Sequence, residues 1–172
     1  MSKNSNPLAL ARTVLRAVRV LNLVYAAGIA MLLLATVVAP DGTFAALGVR
    51  TESVARMGVA MRAMAVVGIA GAVIAHLVLS QLLAIVDSVR DGDPFVIANA
   101  RRLQSIAWLV FVGELLHLVV GALAAFGSTP AQSLDVDWSF SFTPWIAVLM
   151  LFVLARVFEH GARLRADLEG TV

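Results

Sequence analysis

No cysteine occurs among the 172 residues, which removes disulfides, thiolate metal sites, iron-sulfur clusters and thiol nucleophiles at once. Charge is scarce as well, with Asp, Glu, Lys and Arg making up 14% of the chain. The pI near 9.9 corresponds to a formal charge of only +2, and the basic residues are scattered beside apolar runs, so no direct nucleic-acid partner is expected. There is no Gly-rich phosphate loop, no Gly-x-Ser-x-Gly elbow, no His-Glu-x-x-His and no internal repeat of the transporter kind. What is abundant is apolar surface: 60% of residues are hydrophobic and the mean hydropathy is +0.91, far from a soluble globular domain. A chain of this size spent on membrane spans leaves no room for a catalytic soluble domain. No catalytic residue, metal or cofactor is assigned, and the protein is expected not to be an enzyme.

Apolar runs extend over about 20–40, 63–86, 103–126 and 138–157, the third with one acid inside it. A helix needs about 20 residues to cross a hydrocarbon core of roughly 30 Å, so each run is long enough. Because backbone groups in lipid must be paired within helices, the expected fold is an all-α four-transmembrane-helix bundle forming a single integral membrane domain over 1–172. The first run is too long for a secretory signal core and reads as an uncleaved anchor. Gly68 and Ala72, Gly71 and Ala75, and Ala26 and Ala30 stand four apart, as at close helix crossings.

Lys and Arg counts in the flanks set the orientation. With the N-terminus inside, Lys3, Arg12, Arg16, Arg19, Arg90, Arg101, Arg102, Arg156, Arg163 and Arg165 are cytoplasmic, and Arg50, Arg56 and Arg62 are outside. Ten against three places both termini in the cytoplasm. On the outer side, residues 135–142 alternate polar and apolar with period two, as a half-buried strand does. That segment could pair with 43–50 in a short extracytoplasmic β-hairpin or cap, with Arg50, Arg56 and Arg62 as candidates to meet Asp135 and Asp137. The other reading is an amphipathic loop on the outer leaflet.

Within the spans the ionisable residues are His76, Glu114 and His117. Residue counting puts His76 and Glu114 near the middles of their runs, at about one depth, and His117 follows Glu114 by three positions on the same helix face. A lone ionised carboxylate there would cost roughly 2.5–3.5 kcal/mol on insertion scales, so Glu114 is expected to be protonated or bonded to His76 or His117. Three roles stay open for this intramembrane cluster: a clasp that fixes helix register, a proton-linked or ligand-sensing site, and a metal site. The last has a Glu-x-x-His pair on one face but no evident fourth ligand. Asn22, Tyr25 and Gln81 read as interhelical hydrogen-bond partners.

The stretch Asp91-Gly92-Asp93-Pro94-Phe95 reads as a helix stop, a turn and a helix start in the connector 87–94, with Asp93 as N-cap and Pro94 at the first helical position. It faces the cytoplasm together with Asn99, Arg101 and Arg102. Arg12, Arg16 and Arg19 recur on one helical face, and the fourth helix extends inward with Glu159 and Arg163 four apart beside an apolar face of Val157, Gly161, Leu164 and Leu168. The plain reading of these basic residues is snorkelling to anionic lipid. The functional reading is a docking surface made by Asp93, Pro94, Phe95, Asn99, Arg101, Arg102 and Arg163.

The block Gly92-Asp93-Pro94-Phe95, then Asn99-Ala100-Arg101-Arg102-Leu103 and Ile106-Ala107-Trp108, together with 157–165 and the terminal 168–172, resembles the bacterial membrane family named domain of unknown function 2975. The likeness covers most of the chain. It implies a four-span, multi-pass protein of the bacterial inner membrane with no established biochemical role, whose members look like companions of small helix-turn-helix regulators. Ala107 stands where that family often has glycine, a difference that bears on helix packing. Glu114 and His117 match no motif of the family. The expected function is therefore that of a non-enzymatic regulatory or scaffolding partner of a cytosolic protein, with a helix-turn-helix regulator as one candidate and homo-oligomerisation open. The alternative is a small sensor or transporter component that handles a proton or small ligand through His76, Glu114 and His117.

Overall fold

The computed structural model describes residues 7–136 and 140–169, with side chains as far as 167. Lys3, Asp137 and the 170–172 end, which entered the sequence reading, lie outside the described residues. The elements are α1 (Pro7–Val38), a short α2 (Pro40–Ala46), a 3-10 turn (Thr51–Ser53), α3 (Val54–Arg90), α4 (Ile97–Gly127) and α5 (Thr143–Glu169). No strand occurs among the described residues; their one β-bridge joins Thr129 to Gln132 inside a turn.

Sequence chemistry explains the helix limits. Pro7 opens α1 at a position where its missing N–H costs nothing. Ala39, held outside the helical region at φ −134° and ψ 64° just before Pro40, ends it. Both positive-φ residues are glycines two positions past the last helical residue, where a side chain would be strained. Gly92 closes α3 with Gly92 N–H donating to Val89 and Asp93 N–H to Ser88, so the expected stop at Asp91-Gly92 is where the helix stops. The 37 residues of α3 make a rod about 55 Å long, more than a bilayer core requires.

The chain divides into two compact units, with boundaries inside the long helices. Unit 2 comprises 23–73 and 113–140. Its core is Phe44, Val49 and Met57, so α2 is laid against the start of α3. Gly58 leaves room for the Phe44 ring, since a Cβ there would stand 2.9 Å from Phe44 Cζ. Arginines of α3 serve the free carbonyls at two other helix ends. Arg62 donates to Thr36 O near the end of α1, and Arg56 donates to Phe126 O near the end of α4. Each guanidinium also lies over a ring, Phe44 at 5.4 Å and Phe126 at 5.0 Å. A cation at a helix C-terminus offsets the negative end of the macrodipole and fills an orphan acceptor.

The expected strand pairing is corrected. Residues 43–46 are helical, and the 135–136 part of the proposed strand is irregular. The contact is made instead by one side chain. Gln132 Oε1 accepts from Arg50 N–H at 2.9 Å and Gln132 Nε2 donates to Gly48 O at 2.9 Å, so a single amide supplies the donor and acceptor of a short ladder. Arg50 donates to Ala131 O rather than meeting Asp135. All three arginines on this side thus satisfy carbonyls.

Unit 1 comprises the described part of 1–22 with 74–112 and 141–172. Rings zip α4 to α5 in one chain: Trp145 against Phe111 at 5.7 Å, Phe111 against Trp108 at 5.8 Å, and Trp108 against Phe152 at 5.2 Å, all edge to face. That is the arrangement the ring quadrupoles favour.

Candidate functional site

The site is built around the connector after α3. Segment 93–96 has no regular secondary structure and α4 begins at Ile97, three residues later than Pro94, where the sequence pattern places its start. Two side-chain contacts, one tertiary and one local, accompany the later start. The Asp93 carboxylate is drawn to Arg165 on α5 instead of capping α4, and the Pro94 carbonyl accepts from Asn99 Nδ2 at 2.9 Å.

Asn99 is the polar centre of this corner and is 0% exposed. Its Nδ2 also donates to Ser88 Oγ at 2.6 Å, and its Oδ1 accepts from Arg102 Nη1 at 2.8 Å. Arg102 Nη1 lies 3.3 Å from the Ala84 carbonyl as well. One amide thereby ties the last turns of α3, the connector and the first turn of α4 together. Asn99 and Arg102, expected on a docking surface, are instead the internal lock of the corner. The pattern Asn-Ala-Arg-Arg did not distinguish Arg102 from Arg101, because which of two adjacent side chains faces the neighbouring helix depends on where α4 starts.

Asp93, Phe95, Arg101 and Arg163 of the expected surface, but not Pro94, frame a groove of about 990 Å3 between the first turns of α4 and the last turns of α5. Ala100, Phe152 and Ala155 give it an apolar floor. Phe95 stacks on Phe158 at 5.4 Å and covers Gly161, whose Cβ would meet Phe95 Cδ1 at 3.1 Å. Four arginines, Arg101, Arg156, Arg163 and Arg165, and two acids, Asp93 and Glu159, line the walls. Glu159 is held by Arg156 at 3.0 Å and by Arg163 at 2.6 Å, and Asp93 is taken by Arg165. Arg101 is exposed and has no hydrogen-bond or ion-pair partner for its guanidinium among the described residues. The walls therefore carry two positive charges in excess. Arg156, Arg165 and Gln104 were not singled out beforehand as site residues, although Arg156, Glu159 and Arg163 at spacings of three and four share one helix face.

The intramembrane cluster changes in membership. Arg19 Nε and Nη2 approach His76 Nε2 at 3.1 and 2.9 Å, and since a guanidinium only donates, that ring nitrogen is the acceptor. His76 therefore belongs with Arg19 in unit 1. Arg12, seven residues earlier on α1, stands 3.0 Å from Asp87 on α3, so two members of the basic stripe clasp these helices and only Arg16 stays exposed. Glu114 and His117 belong to unit 2, and their side chains make no hydrogen bond or ion pair among the described residues. No group of three or more metal-ligating side chains occurs among the described residues. His76→Leu is expected to cost about 1 kcal/mol by leaving the Arg19 guanidinium without its acceptor, whereas Arg19→Leu together with His76→Leu recovers most of it. Unfolding of the purified protein in detergent, run as a double-mutant cycle, measures this coupling.

Four helices long and apolar enough to cross a membrane define the chain as a multi-pass membrane protein. Residues 42–172 match the family model described as protein of unknown function DUF2975, and the chain belongs to that family. No curated protein and no solved structure is significantly similar to it.

Proposed function

We propose that the protein is a non-enzymatic regulatory or scaffolding component of a bacterial inner membrane, with both termini in the cytoplasm, that docks a cytosolic protein. The observation that carries this reading is the apolar surface left open at the connector end of unit 1. Phe95 is 46% exposed, Ile97 42% and Leu164 61%, and exposed Arg90 and Arg101 lie in the same part of the chain. Exposed large apolar side chains beside charged residues at the end of a span, with a polar rim, are a usual mark of a protein interface. The excess of basic residues at this end supports a cytoplasmic placement. A helix-turn-helix regulator with an acidic, apolar-edged surface fits as the partner. The sensor alternative keeps only Glu114 and His117, since His76 already serves Arg19.

Leu164→Asp tests the reading, because that side chain has little internal packing to lose. A photo-crosslinker at position 97 in native membranes is expected to capture one defined cytosolic protein, and Leu164→Asp to reduce that capture about tenfold, the scale of a lost interface anchor. Capture that is equal with and without Leu164→Asp, in protein of unchanged melting temperature, would remove the docking role from this surface.

A further inference from the structure

We propose that the arginine-lined groove between α4 and α5 is a binding site for an anionic phospholipid, with the phosphodiester taken by Arg101 and the adjoining acyl segment laid on Phe152 and Ala155. Three observations lead there. First, the groove has a cation without an anion. The other three arginines on its walls already hold Glu159 or Asp93, while Arg101 has no partner among the described residues. An exposed guanidinium beside an apolar floor is suited to a phosphate oxygen, for which its planar fork gives paired, charge-assisted hydrogen bonds.

Second, the groove lies where both helices change from charged to apolar. On α4, Arg101 and Arg102 are the last charges before the uncharged stretch 103–113, and on α5 Arg156 is the first charge after the uncharged stretch 143–155. That transition is where a helix passes the headgroup layer. The floor residues Ala100, Phe152 and Ala155 sit at or just inside it, and Ala100 and Ala155 are buried. Third, the volume of about 990 Å3 lies at the upper end of the roughly 300–1,000 Å3 of small-molecule sites, room for a glycerophosphate headgroup and the first part of its chains.

These features favour a lipid over a polypeptide. A segment arriving from water could reach Arg101, but it would have to enter the hydrocarbon to cover Phe152. A phospholipid already in the leaflet places its phosphate and its chains at those two depths without leaving the bilayer. Basic pockets between membrane helices are known anionic-lipid sites on the same grounds. The inference shares Phe95, Ile97 and Arg101 with the docking reading, which adds Leu164 outside the groove, and lipid retention is read separately from protein capture.

The test is native mass spectrometry of the full chain in detergent with added phosphatidylglycerol, phosphatidylcholine or inorganic phosphate. One phosphatidylglycerol per chain is expected to survive desolvation, with retention at least about tenfold above phosphatidylcholine, and inorganic phosphate at millimolar concentration should not displace it. Arg101→Gln is expected to remove that preference. Arg90→Gln, which changes an exposed arginine outside the groove, should leave it, as should Leu164→Asp. Equal losses in Arg101→Gln and Arg90→Gln would reduce the effect to diffuse charge and overturn the site. Displacement by inorganic phosphate would overturn the lipid as occupant. So would a photo-crosslinker at position 104 that captures a polypeptide in native membranes in place of a phospholipid.

Discussion

Asn99→Leu is expected to lower the unfolding free energy by about 2–4 kcal/mol, a large loss for a substitution that keeps the branching and heavy-atom count of the side chain. Asn99 is fully buried and uses both ends of its amide. Leucine there strands the Pro94 carbonyl, removes a donor from Ser88 Oγ and takes the acceptor from Arg102. Ser88 keeps a partner in the Ile85 carbonyl and Arg102 can turn outward, so those two losses are partly absorbed. Pro94 O lies in a connector already bent by the positive φ of Gly92 and has no other described donor. The local signature is therefore sharper than the global one. Amide hydrogen exchange is expected to accelerate by tens of fold over residues 91–99 and to change little over the end of α4 near Phe126. Asn99→Asp separates geometry from charge: it keeps the acceptor for Arg102 but loses the donor to Pro94, and is expected to fall between wild type and leucine. Leucine tolerated within about 0.5 kcal/mol, with unchanged exchange over 91–99, would show that the corner holds without this amide.

How far the sequence could be read follows from the range of the interactions involved. The four spans were legible because hydropathy and span length are local properties, and the stop at Asp91-Gly92 was legible because a glycine past a helix end acts through its own backbone. The start of α4 was not, because the Asp93 carboxylate is taken by Arg165, 72 residues away, and the Pro94 carbonyl by the Asn99 side chain five residues on. The partner of His76 is equally remote in sequence, since Arg19, 57 residues away on another helix, supplies its hydrogen bond. The outer hairpin failed for a different reason. Period-two alternation over 135–142 was genuine, but the acceptor and donor that 48–50 needed were supplied by the Gln132 amide, and side-chain mimicry of a ladder leaves no periodic trace. Of the expected docking residues, Phe95, Arg101 and Arg163 frame the groove, while Asn99 and Arg102 were drawn inward.

Gly127→Val is expected to destabilise the protein by about 2–4 kcal/mol, while the same change at Gly71 should cost under about 1 kcal/mol. Nothing lies within 4 Å of a Cβ built on Gly71, although its spacing with Ala75 marked it as a close-packing position. At Gly127, the last residue of α4, a Cβ would collide with the Cβ of Ala60 on α3 and approach Leu134 Cδ1 to 2.6 Å. Leu134 can rotate its branch aside, whereas Ala60 is 0% exposed and its Cβ moves only if α3 moves. Neither glycine has a positive φ, so the contrast between them is one of space and not of backbone strain. Separating α3 from α4 here would also pull on the contacts to either side, Arg56 to Phe126 O and Ser53 Oγ to Thr129 Oγ1 at 3.0 Å. Through Thr129 the strain reaches the turn that presents Gln132 to residues 48–50. The expected readout is thus a lowered melting temperature in detergent together with faster exchange at Arg50 N–H, whose acceptor is the Gln132 side chain. Gly127→Ala is the finer probe. Combined with Ala60→Gly it moves the methyl from one helix to the other and should recover stability, less about 1 kcal/mol for a glycine inside α3. Failure of that pair to recover anything would place the cost of filling position 127 at Leu134 and the outer turn, not at the crossing of the two helices.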